Sequence, residues 1–152
     1  MAFIDIQEMK TVAYAYQIEE ITEADDDIVL QAISAGIDHA KSYLRPGNKK
    51  EWLDGRLLYD VNATFSATGS QRNILLMEMT KSLALWYLCR LCNVDMIYEN
   101  VKDRYDRSIT WLKQVNKGEV TLDLPLLPDT PTTVDPAKLP FRFGSRAKFN
   151  HE

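Results

Sequence analysis

Soft metal ligands and imidazoles are scarce in this sequence, which offers two cysteines, Cys89 and Cys92, and two histidines, His39 and His151. A fold built on a disulfide framework is thereby excluded, and no oxidising compartment is needed. A structural zinc takes four ligands and the chain holds no more than these candidates, so no metal site is expected. Long apolar runs are missing too. No stretch reaches the roughly 18 uncharged apolar residues of a membrane-crossing helix. The start, Met1-Ala2-Phe3-Ile4-Asp5, lacks the basic region and apolar stretch of a secretory signal. The expectation is a soluble protein made in a cytoplasm, with no membrane partner. A basic excess is also absent: 18 Lys and Arg stand against 22 Asp and Glu, for a net charge of −4 and a pI near 5.2. Coating nucleic acid through a broad basic face is excluded, because phosphate binding needs clustered cations. No Ser-His-Asp arrangement, phosphate-cradling glycine loop or metal-binding helix motif occurs. The chain is expected to be no enzyme and to use no cofactor.

What is present is the pattern of a small helical body. At 152 residues, 45% hydrophobic and 26% charged, the chain suits one domain with one core. Val29, Ile33, Ile37, Ala40 and Leu44 recur at steps of three and four, which predicts a helix over about residues 25–44. The acidic run Asp25-Asp26-Asp27 sits at its start, where carboxylates accept from unpaired N–H groups and oppose the helix dipole. Arg45-Pro46-Gly47 stops it. Asp5 is placed to cap a shorter helix over about residues 6–14. A long irregular connection follows over residues 47–69, with a candidate short strand at Leu58-Tyr59-Asp60-Val61-Asn62. Ser70 is placed to cap a central helix over about 71–92, apolar on more than one stripe and so contacted from several sides. After the corner Asn93-Val94-Asp95, a third long helix is predicted over about 96–116. Ile97, Val101, Tyr105, Ile109, Leu112 and Val115 line one face, and Gly118 closes it in the left-handed conformation. The fold class is therefore mainly α, a bundle of three to four helices with a long inter-helix loop and an extended proline-rich C-terminal arm.

The division into a helical domain (1–124) and an arm (125–152) rests on Pro125, Pro128, Pro131, Pro136 and Pro140, which forbid helix and central-strand pairing. The arm ends in alternating aromatic and basic residues. Leu139, Phe141, Arg142, Phe143, Arg146, Lys148 and Phe149 are expected to make its contacts, the aromatics filling pockets on a neighbour and the cations pairing with acidic rims. A proline-stiffened strand loses less entropy on docking than a flexible one.

Three constellations have plain structural readings. Cys89-Arg90-Leu91-Cys92 has redox spacing but falls at the C-terminal end of a helix, where the dipole opposes thiolate formation, so it reads as packing. His39 reads as a helix-packing or surface residue. Trp86, Tyr87, Tyr105 and Trp111 read as packing residues of the two long helices, with Tyr87 and Trp111 the better placed to reach a partner. Asp103 and Arg107 form an i, i+4 pair.

The string Gly69-Ser70-Gln71-Arg72-Asn73 resembles the phage Mu-type family of small head-tail completion proteins. So do the helix ending Leu85-Trp86-Tyr87-Leu88, the string Asp103-Arg104-Tyr105-Asp106-Arg107-Ser108-Ile109-Thr110-Trp111-Leu112, and the closing Val115-Asn116-Lys117-Gly118. The likeness takes in the acidic start and the Ser42-Tyr43-Leu44 end of the first long helix. The ending Phe141-Arg142-Phe143-Gly144-Ser145 is similar to tails of relatives from phages or prophages of gut bacteria. Against the family this chain carries extra residues between Leu44 and Leu58, among them Lys49, Lys50 and Trp52. The resemblance implies a head-tail connector in the virion neck, a dodecameric ring of identical subunits beneath the portal protein. It would also contact tail or neck proteins, with genomic DNA passing through without sequence-specific binding. No catalytic residue comes with it. In a ring, Asp103, Arg104, Asp106 and Arg107 are candidate inter-subunit ion pairs, and an acidic channel lets DNA slide. The alternative from another class is a small helical adaptor or regulator that binds a phage or host protein through the arm and never enters the particle.

Overall fold

The computed structural model describes residues 3–45, 57–92 and 98–127. Six α-helices lie in them: α1 (Ile6–Met9), α2 (Ala15–Thr22), α3 (Asp26–Leu44), α4 (Val61–Ser66), α5 (Ile74–Leu91) and α6 (Tyr98–Lys117). A 3-10 turn spans Gly69–Gln71. The three long helices are those the periodicity predicts, and the mainly α class holds.

Asp25 caps α3, its carboxylate accepting from the Asp27 N–H at 2.9 Å, with Asp26 and Asp27 in the first turn. Asp5 caps α1 in a reciprocal box with Glu8. The helix expected over 6–14 stops early, however. The chain turns after Met9, where the Thr11 hydroxyl donates to the Glu8 carbonyl at 2.7 Å, and restarts as α2. A threonine hydroxyl bonded to a nearby carbonyl offers the backbone an alternative to continuing the helix, and in a segment this short that competition weighs more than in the long helices. The cap of α5 is Asn73, whose side chain accepts from the Leu76 N–H at 3.0 Å. Ser70 instead lies in the 3-10 turn that precedes it. Gly118 closes α6 at φ +79°, as expected.

The connection over 47–69 is less irregular than the sequence suggests. In its described part, the Asp60 carboxylate accepts from the Ala63 N–H at 2.9 Å and starts α4, with Val61, Thr64 and Phe65 buried. The candidate strand is reduced to one antiparallel bridge, Tyr59 to Leu126. Its ladder is the Asp60 N–H to the Pro125 carbonyl and the Leu127 N–H to the Leu58 carbonyl, both 2.8 Å. The Tyr59 hydroxyl accepts from the Leu122 N–H at 2.9 Å. Pro125 to Leu127, the first arm residues, thus run along the body.

The core sits where α3, α5 and α6 meet. Val29, Ile33, Ala40 and Leu44 of α3 pack with Leu76, Leu83, Ala84 and Leu88 of α5 and Leu112 and Val115 of α6. α5 is the central helix. Gly36 allows the closest approach: a Cβ there would stand 2.8 Å from the Ala84 backbone nitrogen. Phe3, Ile4 and Met9 are buried as well, and polar side chains fasten this N-terminal segment to α5 and to the turn before it. Arg72 forms a bidentate pair with Glu8 at 2.6 and 2.8 Å and donates to the Phe3 carbonyl. Lys81, only 1% exposed, donates to the Thr11 hydroxyl at 2.7 Å and to the Glu78 carboxylate. A buried ammonium is tolerated where such acceptors satisfy it.

Candidate functional site

The break between α1 and α2 does more than shorten a helix. It leaves residues 10–14 as an open segment beside α5 and the first turn of α6, and a groove of about 350 Å³ lies between them. Its floor is apolar, from Val12, Ala13, Ile21, Leu85 and Val101, with Cys89 at one end. Lys10 and Arg104 stand on its edge, and no carboxylate lines it. Arg104 spends one N–H on the Val12 carbonyl at 2.9 Å, which ties the open segment to α6. A guanidinium has five N–H donors, so several remain for another group. At the mouth Tyr14 stacks on Tyr16, ring centroids 5.7 Å apart, although the two side chains are 68% and 61% exposed.

Of the charged residues singled out on α6, Asp103 pairs with Arg107 at 2.8 Å within the helix, both largely exposed. Asp106 is exposed and its carbonyl accepts from Thr110. Arg104 turns to the groove. The four residues therefore share one helix but not one cluster. Leu139, Phe141, Arg142, Phe143, Arg146, Lys148 and Phe149 lie outside the described residues.

The aromatics form a second assembly. His39 and Tyr43 of α3 meet Tyr87 of α5 and Tyr105 of α6, and Trp86 stacks on Tyr105 at 4.9 Å. The Tyr87 hydroxyl and His39 Nδ1 are hydrogen-bonded at 3.1 Å. Burial pushes the His39 pKa below its ordinary value and lifts that of Tyr105. Both shifts favour the neutral form, which suits a helix-packing seam. Burial likewise raises the thiol pKa of Cys89 and Cys92, with the neighbouring Cys92 adding to the effect on Cys89. Both cysteines are free. Among the described residues no group of His, Cys, Asp and Glu could hold a metal ion, and no helix is long and apolar enough to cross a membrane.

Lys10, Tyr14 and the groove itself are what reading the sequence missed. The available signal was Tyr14-Ala15-Tyr16, a pair of large aromatics two residues apart where a helix face would not hold both. For Arg104 the sequence points instead to contact with another copy.

Helix order and packing define a small, mainly helical bundle that carries a cation-edged groove on one side. Residues 70–139 match the family model described as Bacteriophage Mu, Gp36. The match takes in α5, α6 and the chain beyond, and it supports the phage Mu-type family that the sequence resembles. No curated protein and no solved structure matches the chain.

Proposed function

We propose that this chain is a structural subunit of the head-to-tail junction of a tailed bacteriophage, one of a ring of identical copies below the portal. The observation that carries the reading is the match of residues 70–139 to the Bacteriophage Mu, Gp36 model, on a chain with the motifs of Mu-type completion proteins. Surface chemistry supports it. Ile74 is 72% exposed at the start of α5, and Leu75 and Leu91 are exposed on the same helix. Apolar side chains left on a small body's surface are material for contacts between copies. Asp103, Asp106 and Arg107 are exposed on α6, where they reach a neighbouring copy. The arm, through Phe141, Phe143 and Phe149 with Arg142, Arg146 and Lys148, grips the adjacent subunit, portal or tail protein. The chain's negative charge keeps phosphate from sticking in the channel.

Mass spectrometry of purified particles tests this directly: the chain should be present in stoichiometric amount, and deletion of residues 139–152 should yield heads and tails that fail to join. A chain abundant in infected cells but absent from particles would refute the reading and leave the adaptor in its place.

A further inference from the structure

The groove between the 10–14 segment, α5 and α6 borders the core through Leu85 but lies open beside it, and its chemistry runs against that of the chain as a whole. The protein is net acidic. Yet the charged groups on the groove's edge are two cations, Lys10 and Arg104, and neither makes an ion pair among the described residues. Between them the floor is apolar. A cavity of about 350 Å³ falls within the usual size of a built binding site, roughly 300–1,000 Å³. The exposed Tyr14–Tyr16 stack extends it with an aromatic wall, the residue type that most often anchors protein contacts.

We infer that this groove docks a short acidic segment of another protein, one apolar side chain seated on the floor and flanking carboxylates held by Lys10 and Arg104. Three features select that occupant. The floor takes an aliphatic or aromatic side chain and offers it no charge. The two edge cations accept carboxylates from either side, and Arg104, already fixed by its bond to the Val12 carbonyl, presents its remaining N–H groups without further ordering. Asn100 lines the same groove and supplies a side-chain amide for the backbone of an extended peptide. Because the occupant is defined by the groove alone, the inference does not depend on whether the chain enters a virion.

The test uses the full chain, labelled with nitrogen-15, and two blocked peptides, Ac-Asp-Leu-Phe-Asp-amide and Ac-Lys-Leu-Phe-Lys-amide. The acidic peptide should shift amide resonances of residues 10–17 and 100–104 in a saturable way, and the basic one should not. Lys10→Glu reverses an edge charge on an exposed side chain that makes no ion pair among the described residues, and should weaken the acidic peptide about fivefold or more. Tyr14→Ala should weaken it while leaving the thermal melt unchanged. Equal shifts from both peptides, no shift at all, or full affinity in Lys10→Glu would overturn the inference. Concentration-dependent shifts of these amides without peptide would assign the groove to a second copy. Shifts on Asp129→Lys or Asp135→Lys without peptide would assign it to the chain's own C-terminal segment. Either result overturns the inference equally.

Discussion

Replacing Gly36 by alanine should destabilise the protein, although the same change in an ordinary helix interior stabilises by about 1 kcal/mol. The added Cβ would meet Ala84 at three points: its backbone nitrogen at 2.8 Å, its Cα at 3.0 Å and its Cβ at 3.1 Å. Carbon contacts are at rest near ~3.5–4.0 Å, so α3 and α5 must part by roughly 0.5–1 Å at this crossing. Such a gap forfeits about a quarter to a half of the dispersion energy of each contact around it. The contacts concerned are those between α3 and α5 around Gly36, where Ile33, Ala40, Leu83 and Leu88 belong to one buried core. Overpacking of this kind costs about 1–3 kcal/mol, and a clash with backbone belongs at the upper end. Set against the propensity gain, the net loss is about 2 kcal/mol, or about 4–8 °C in Tm for a chain of this size. Urea and thermal melts followed by far-ultraviolet circular dichroism measure it. Ala84→Gly should not rescue the variant, because the nearest obstacle is a backbone atom that glycine retains. A Gly36→Ala protein as stable as the parent, or more so, would refute the account of this crossing.

Two further predictions use the same melts. Ala24 follows Glu23 in the turn between α2 and α3, and both are left-handed, at φ +61° and +53°. A β-carbon costs about 1 kcal/mol in that conformation, so Ala24→Gly should raise stability by up to roughly that amount, less the entropy of a freer unfolded chain. A loss of stability there would contradict the turn. Glu8 is held below its ordinary value of 4.5 chiefly by its hydrogen bonds from Arg72. That hold is lost on unfolding, so its stabilisation is complete above about pH 4.5 and fades as the pH falls through the lower folded-state value. Glu8→Gln should therefore cost about 1–2 kcal/mol at neutral pH and converge with the parent in acid. A difference that stays constant across the acid range would show that the charge is not what matters.

The three long helices were legible because each has what a sequence can carry by itself, a periodic apolar face and a stop signal. Asp25 and Gly118 act where the pattern puts them. Shorter elements were not legible, for a physical reason: a helix of one or two turns gains little from propensity and exists by tertiary contact. α4 is held by burial of Val61, Thr64 and Phe65, a fact no local pattern encodes. The strand-like alternation over 58–62 is real, but Asp60 is claimed by the Ala63 N–H and the chain turns into a helix. The sequence pattern points to one helix over about 6–14 and to none over 15–22, where the structure has two short helices, α1 and α2. Only the Thr11 hydroxyl and the anchoring of residues 3–13 to Arg72, Lys81 and Arg104 separate them. These partners lie about 60 to 90 positions away along the chain.

That long-range fastening is also what makes the groove. Had residues 6–14 continued as one helix, Lys10 and Tyr14 would sit a turn apart on a closed surface, and Arg104 would have no free carbonyl to hold. A helix carbonyl at position 12 would be committed to its own i+4 N–H. The carbonyl of Val12 is available because the helix is broken, and Arg104 reaches it across the space that becomes the groove. Its guanidinium therefore does two things at once: it keeps the break open, and it sets a cation on the edge of an apolar floor. Binding surface and helix break are one structural event, so a change that heals the break, such as favouring helix through residues 10–13, should abolish the groove while leaving the α3–α5–α6 core in place.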